Sequence, residues 1–241
     1  MNYRLKNWVN WVLYDELVKG ELNAPKHLLG IHDYGDGQVI TAYKPHSKKV
    51  SITSVTGKSP VEMEQLGDGF YGAFFDKKKY KGNKYRFQTE YHDGTTVTSA
   101  DCYAFESLIT DYDVYLFAEG KNYDIYEKLG AHPMTIDGVK GTYFAVWAPN
   151  ARRVSVVGDF NMWDGALNPM QIHPASGIYE LFIPDVMPGA VYKFQILTRD
   201  GEILYKADPY GNQAQMRPDN ANVVADLSKY KWTDAKWVEE R

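Results

Sequence analysis

The chain opens with a hydrophobic pattern of helical period. Apolar side chains recur every three or four residues within positions 1–20, at Leu5, Trp8, Val9, Val12, Leu13 and Leu17. This spacing predicts an amphipathic helix, and Gly20 is a suitable place for it to end. The polar face is not strongly basic, which favours packing on its own domain over binding to a membrane or a partner.

Beyond this helix the pattern changes to a period of two. Residues alternate in this way over 39–43 and again over 50–54, and six Asp-Gly pairs interrupt the rest of the chain. Asp-Gly supplies the positive-φ residues that tight hairpin turns need. Many short strands separated by such turns predict a β-sandwich or a β-barrel.

The β pattern occurs twice in the same order. Residues 37–45 resemble 141–149, with the two closing prolines 104 positions apart, and the offset reaches only 108 in later segments. Such a repeat predicts two copies of one β unit, and a unit of about 75–95 residues suits an immunoglobulin-like sandwich. The other matching segments are 48–52 with 152–156, 69–71 with 177–179, 85–88 with 192–195, 93–94 with 200–201, and 101–103 with 208–210.

Between the two copies lies a segment with near-helical spacing of apolar residues. Ile125 and Leu129 are followed by Gly130 and Pro133, which suit the end of a helix. The predicted fold is all-β, with two tandem immunoglobulin-like β-sandwiches, an N-terminal helix and a short helical linker. The predicted divisions are 1–106 for the helix and first sandwich, 107–137 for the linker, 138–226 for the second sandwich, and 227–241 for a connection to a further domain.

Composition narrows the possible partners. The 241 residues are 44% hydrophobic and 24% charged, with a formal net charge of −4, which is ordinary for a globular protein. A dedicated nucleic-acid or anionic-membrane binder would be basic, so the lysine-rich stretch 77–84 is interpreted as a solvated turn. Cys102 is the only cysteine, which excludes an intrachain disulfide and favours a cytoplasmic location.

Aromatic residues are unusually frequent, at 15% of the chain. They suit pleated sheets, and they also suit flat ligands with polar edges, because an aromatic ring buries a large area. The six histidines lack metal-ligand spacing. We therefore predict no metal and no cofactor.

Two stretches carry a resemblance to a known family. The sequence AEGKNYDIYEKLGAHP (118–133) resembles the linker of bacterial 1,4-α-glucan (glycogen) branching enzymes, and residues 141–165, which end in GDFNMWDG, resemble the start of their family-48 carbohydrate-binding module. The resemblance runs from about residue 25 to the C-terminus and is looser in the first copy. Three later segments continue the match: Ser176–Pro184, Tyr192–Phe194 and Lys206–Tyr210.

The resemblance implies that 1–106 is the first N-terminal domain (N1) of such an enzyme and 138–226 the second (N2). In that family a (β/α)8 barrel of the α-amylase superfamily follows and carries the catalytic Asp nucleophile, Glu acid/base and a third Asp. None of those catalytic segments occurs in this sequence, so no catalytic residue is assigned. The chain alone is expected to be inactive, with the barrel of its parent protein as a partner.

The family also implies candidate carbohydrate-binding residues. A tryptophan at the position of Trp163 stacks on glucose in related modules, although it could instead pack the loop against the barrel. Lys193 alternates with the core aromatics Tyr192 and Phe194, which predicts that it lies on the opposite face of its strand. It matches a lysine that donates hydrogen bonds to sugar hydroxyls, or it is simply a solvated lysine on the sheet. Asn222 resembles an asparagine that completes the site. A second stacking tryptophan is missing here, and Tyr205 is the nearest substitute.

These features predict weak binding of α-1,4-glucan (glycogen and maltooligosaccharides) and orientation of the barrel for α-1,6 branch formation. Two other functions stay open. One is a purely structural scaffold that binds no glucan, and the other is a regulatory glycogen-sensing module.

Overall fold

A computed structural model describes residues 2–57 and 60–241. Its strands form four antiparallel sheets, two in each half of the chain. We call residues 2–106 module one and residues 107–226 module two. The predicted all-β fold of two sandwiches is confirmed, and within the described ranges no helix is long and apolar enough to cross a bilayer.

The N-terminal helical region is broken where one continuous helix was predicted. The side-chain oxygen of Asn10 accepts hydrogen bonds from the backbone N–H groups of Val12 and Leu13, at 3.1 and 3.4 Å. This cap starts a new helix, and Val9 before it is extended. Two helices result: α1 (Tyr3–Trp8) and α2 (Trp11–Val18).

Module one contains two four-stranded sheets, ordered β1-β2-β6-β5 and β4-β3-β7-β8. The lysine-rich stretch 77–84 connects β6 to β7 and therefore crosses from one sheet to the other. The strands are β1 (Gly30–Tyr34), β2 (Gly37–Tyr43), β3 (Ser47–Ser54), β4 (Val61–Glu62), β5 (Glu64–Gly67), β6 (Phe70–Phe75), β7 (Tyr85–Tyr91) and β8 (Thr96–Ser99).

Module two repeats this plan, with sheets β12-β13-β10-β9 and β11-β14-β15, and β16 also pairs with β14. Its elements are α3 (Asp111–Ala118), β9 (Gly130–Ile136), β10 (Val139–Trp147), β11 (Ala151–Gly158), β12 (Gln171–His173), β13 (Ile178–Pro184), β14 (Val191–Thr198), β15 (Ile203–Lys206) and β16 (Asn222–Val223). A further helix, α4 (Ala235–Glu239), follows module two.

The same buried hydrogen bond occurs in both modules and confirms the internal repeat. Tyr85 Oη donates to Asp101 Oδ2, and Tyr192 Oη donates to Asp208 Oδ2 at 2.6 Å. In each module the other carboxylate oxygen accepts the backbone N–H two residues later, at 2.9 and 2.8 Å. Because all four side chains are buried, each hydroxyl satisfies a carboxylate that water cannot reach.

The segment predicted to be a linker covers a sheet of module two. The helix α3 lies earlier than the helix expected near Ile125, where the chain forms only a 3-10 turn (Ile125–Glu127). Thr110 and Asp113 form a capping box that begins α3. Apolar residues of this segment pack against one face of β10 and β13, among them Ile109, Phe117, Ile125 and Leu129.

The helical cover is itself part of the repeat, at an offset of 100 residues. Gly20 and Gly120 end α2 and α3 with φ of +69° and +67°, and each backbone N–H donates to a carbonyl three residues earlier at 3.0 Å. Gly readily adopts this left-handed conformation at the end of a helix. Each copy therefore includes a helix that precedes its sandwich.

The two modules are docked against each other. Tyr103 Oη donates to the carbonyl of Pro169 at 3.1 Å, and the ring also packs against the core of module two. The backbone N–H of Ile172 donates to the carbonyl of Asn23 at 3.1 Å. These contacts join the two modules directly.

A buried carboxylate holds the helical cover on module two. Glu180 accepts hydrogen bonds from Tyr143 Oη at 2.6 Å, His173 Nε2 at 2.7 Å, Ser107 Oγ, and the backbone N–H of Leu108 at 3.1 Å. Burial alone would raise the pKa of Glu180, but the hydrogen bonds from His173, Ser107 and Tyr143 outweigh it and lower this pKa from 4.5 to about 2.

Acid should loosen this attachment. Because the pKa of Glu180 is lower in the folded protein than in the unfolded chain, its stabilisation is complete above pH 4.5 and disappears as the pH falls towards 2. At neutral pH it amounts to about 3 kcal/mol. Urea unfolding between pH 2 and 7 should show this loss in the natural chain and a flatter profile in Glu180→Gln. Identical pH profiles would contradict the assignment.

The tyrosine hydroxyl that bonds a buried aspartate in each module should contribute a similar free energy of stabilisation in both. Tyr85→Phe and Tyr192→Phe each remove one hydrogen bond to a buried aspartate and should each lower the free energy of unfolding by about 1–3 kcal/mol. Urea denaturation followed by circular dichroism measures the loss. Tyr230→Phe, which changes an exposed ring, is the control, and two variants as stable as the control would refute the shared role.

Candidate functional site

Trp163 lies on a tight turn after the edge strand β11. Asn161 is buried and holds this turn: its Oδ1 accepts the N–H of Gly158 and its Nδ2 donates to the carbonyl of Val156, both at 2.9 Å. Met162 and Trp163 then have φ of +55° and +60°. Two consecutive left-handed residues other than glycine are uncommon, and such strain often marks functional loops.

The indole of Trp163 is half-buried. Its Nε1 donates to Asp159 Oδ1 at 2.8 Å, and its backbone N–H donates to the carbonyl of Gly158 at 2.9 Å. The ring is therefore fixed in orientation while part of its surface stays open to solvent.

Lys193 lies on the outer face of the sheet, as its alternation with core aromatics predicted. Its neighbours Tyr192 and Phe194 point into the core, and its register partner on β11 is Val157. The ammonium of Lys193 donates to Oδ1 of Asn220.

Asn222 has a different environment from the one predicted for it. It is buried, its Oδ1 accepts the N–H of Asp208 at 2.6 Å, and its Nδ2 donates to the carbonyl of Gln213 at 3.5 Å. Its amide therefore holds the loop between β15 and β16. The asparagine that lies beside Lys193 is Asn220, which the sequence analysis did not single out.

Tyr205 lies on the same sheet, and half of its surface is exposed. It is paired in register with Gln195, whose Nε2 donates to the Tyr205 hydroxyl at 2.9 Å. Gln195 and Lys193 are two residues apart on β14 and so share a face. The structure thus brings Lys193 and Tyr205 onto one surface.

Arg153 connects the Trp163 loop to this surface. Its Nη2 donates to Gln195 Oε1 at 2.7 Å, and its Nη1 donates to the carbonyl of Gly165 at 3.2 Å. That carbonyl also accepts Ser155 Oγ at 2.6 Å. Arg153 is only 3% exposed, and burial lowers the pKa of its guanidinium.

Gly165 is required for this close contact. A Cβ at that position would lie 1.9 Å from Gln195 Oε1, so a larger residue would displace the Gln195 amide and disturb its hydrogen bond with Arg153. Arg153 is one of two adjacent arginines near the start of β11, and no local sequence pattern signals this connection.

The assembled groups suit recognition rather than catalysis. The ammonium group of Lys193 and the phenol of Tyr205 lie on the outer face of sheet β11-β14-β15, the amide of Asn220 contacts Lys193, and the loop that carries the Trp163 ring is tied to the same face through Gly165. Together these groups can contact both the apolar faces and the hydroxyls of a sugar. Within the described ranges, no group of three histidine, cysteine or acidic side chains could hold a metal ion.

A serine, a histidine and a glutamate do meet elsewhere, but they do not form a hydrolytic triad. His173 Nε2 faces both Ser107 Oγ, at 3.4 Å, and Glu180 Oε1, at 2.7 Å. In a triad the serine and the carboxylate contact different ring nitrogens. These three side chains therefore hold the helical cover on module two, as described above.

Two protein families match successive parts of the chain. Residues 11–103 match the N-terminal domain of the α-1,4-glucan branching enzyme GlgB, and residues 128–211 match carbohydrate-binding module 48, the isoamylase N-terminal domain.

Full-length relatives match nearly the whole chain. The 1,4-α-glucan branching enzyme GlgB of Rubrobacter xylanophilus is 43% identical over 93% of this chain and 31% of its own length. The enzyme of the same name from Nitrosococcus oceani is 40% identical over 94% of this chain and 30% of its own length. The chain thus spans about three tenths of these relatives.

Among solved structures, the pullulanase of Anoxybacillus sp. LM18-11 aligns at 17% identity over 84% of this chain and 28% of its own, with a TM-score of 0.36. Pullulanase type I of Bacillus subtilis, complexed with maltose, aligns at 19% identity over 85% of this chain and 28% of its own, with a TM-score of 0.37. These structural likenesses are too distant to support an argument. The sequence matches, however, show that the chain carries, in order, the N-terminal domain and the family-48 carbohydrate-binding module of the 1,4-α-glucan branching enzyme family.

Proposed function

We propose that module two binds α-1,4-glucan weakly on the outer face of sheet β11-β14-β15, and that the two modules together orient a catalytic (β/α)8 barrel for α-1,6 branch formation. The observation that carries the proposal is the partly exposed indole of Trp163, held on a strained turn next to the sheet that bears Lys193, whose ammonium group is bonded to Asn220.

The turn prepares Trp163 for stacking. Because Asp159 fixes the indole Nε1 and Gly158 fixes the backbone, little freedom is lost when a sugar ring lies on the exposed face, and such preorganisation favours binding. A positioned ammonium group and amide can then donate to sugar hydroxyls, which gives the orientation of the chain.

Binding should be weak. Trp163 offers one partly exposed ring, and Tyr205 offers a smaller one with its hydroxyl already bonded to Gln195. A stacked ring contributes about 1–3 kcal/mol if sugars behave as bases do on aromatic side chains. One or two such contacts correspond to dissociation constants near the millimolar range.

The proposed role in orienting the barrel depends on the rigid contact between modules one and two. Modules one and two contact each other through Tyr103, Pro169, Asn23 and Ile172, so a glucan held on module two would keep a fixed position relative to any domain attached to the pair.

A cytoplasmic location belongs to the same proposal. It agrees with the single thiol, Cys102, whose pKa is raised to about 12 by burial and by nearby Asp101.

A structural scaffold without glucan binding is the second candidate. The buried, fully engaged amide of Asn222 favours it, since one of the predicted sugar-binding groups already serves the fold. The two candidates differ in whether Trp163 contacts a ligand, which a single substitution can decide.

Removal of the indole should weaken glucan binding. We expect Trp163→Ala to raise the dissociation constant for maltoheptaose at least about tenfold, measured by isothermal titration calorimetry or by intrinsic fluorescence. Trp232→Ala, which removes an indole that is 77% exposed outside module two, should leave the constant unchanged. Equal binding by both variants, or no binding by the natural chain at millimolar maltoheptaose, favours the scaffold.

The 241 residues alone should show no branching activity on amylose. The described residues form two sandwiches, whereas the family's chemistry requires two carboxyl groups about 5–5.5 Å apart in the barrel. Iodine staining combined with analysis of α-1,6 linkages after long incubation measures the activity. Formation of new branches by the purified chain would contradict the proposal.

A further inference from the structure

A groove of about 430 Å³ runs along the junction of the two modules. One wall is the end of α2 with Val18, and the other is the Trp163 loop with Asp164 and Gly165. Leu197 and Ile203 line it from the sheet of module two. The volume is within the ordinary range of ligand sites, about 300–1,000 Å³.

The groove continues the surface that carries the candidate glucan-binding residues. Ile203 and Tyr205 are two residues apart on β15 and share a face. Gln195 lines the groove and also donates to Tyr205. Asp164, which lines the groove as well, directly follows Trp163 in the chain.

The distance between Lys193, on the candidate glucan-binding surface, and Leu197, in the groove, determines which ligands could contact both. Lys193 and Leu197 are four residues apart on β14, which is about 13 Å at the usual rise of a strand. A single sugar ring cannot span this distance, whereas a chain of several glucose units can. Use of the groove should therefore depend on oligosaccharide length.

The walls of the groove are held in place from both modules. Arg152 Nη2 forms an ion pair with Glu21 Oε2 at 2.7 Å, and the contact of Ile172 with Asn23 lies two residues further along the chain from Glu21. The groove therefore exists before a ligand arrives.

The lining offers both kinds of contact that a glucan needs. Val18 and Ile203 are apolar yet about half exposed, at 48% and 54%, and could cover the apolar faces of sugar rings. Lys19, Glu21 and Asp164 supply polar groups for hydroxyls.

We propose that this inter-module groove is a second subsite for the same α-1,4-glucan chain, so that module one contributes directly to binding of longer chains. This inference rests on the proposed function, because it presupposes that the Trp163 surface binds one end of the glucan.

The test compares a short and a long oligosaccharide on one groove variant. In Val18→Ser/Ile203→Ser, the dissociation constant for maltoheptaose should rise about fivefold, as expected for loss of a modest apolar contact, while that for maltose, which is too short to reach both ends, should stay unchanged. The matched control is Val12→Ser/Val97→Ser, which changes one exposed valine on α2 and one on β8, outside the groove. Nuclear magnetic resonance titration measures both constants and also shows that the variants are folded.

The outcomes separate the two proposals. If the groove variant, the control and the natural chain bind maltoheptaose equally well, the subsite proposal is overturned and the glucan-binding proposal is not. Equal weakening of both oligosaccharides in the groove variant also overturns it, because the effect would not depend on chain length. A natural chain that binds neither oligosaccharide overturns both the glucan-binding proposal and the subsite.

Discussion

The outer face of the β1-β2-β6-β5 sheet and that of the β12-β13-β10-β9 sheet must be covered, and the helical segments before each sandwich do this. In module one the cover contributes Leu5 and Leu17 to a buried cluster with Phe70, and in module two it contributes Ile109 and Phe117 to an equivalent cluster. A sheet with two apolar faces is stable only between two layers. The other sheet of module two has no helical cover: the Trp163 loop buries Ser155 on its outer face, and Lys193 and Tyr205 lie on the part of that face that stays accessible.

The same constraint determines how the modules meet. Since α2 must lie on module one, the chain leaves its last turn close to module two, where Glu21 pairs with Arg152 and Asn23 contacts Ile172. The Trp163 loop is held on the other side by Arg153. A repeated unit, each copy with its own helical cover, thus produces both a rigid junction and a groove beside the candidate binding surface.

Much of the fold could be predicted because its signals are local. Alternation with a period of two indicates strands, Asp-Gly pairs indicate hairpin turns, and the internal repeat indicates two sandwiches. The helix that begins the second copy could not be placed in this way, because the apolar residues of α3 follow one another over 114–118 instead of recurring at helical spacing, and its clearest signal was the capping pair Thr110 and Asp113. At the site, the alternation of Lys193 with core aromatics predicted its face, but the exchange of Asn220 for Asn222 and the burial of Arg153 depend on contacts between residues distant in sequence.

The central claim is that the face of module two that bears Lys193 and Tyr205, beside the Trp163 loop, receives glucan, rather than the face covered by α3. Two-dimensional amide spectra of the assigned chain, recorded as maltoheptaose is added, test this most directly. The account predicts that shifts concentrate at residues 158–165, 193–197 and 203–206, while those of α3 and of residues 125–129 stay in place. Shifts confined to α3 or spread evenly over both modules would contradict it.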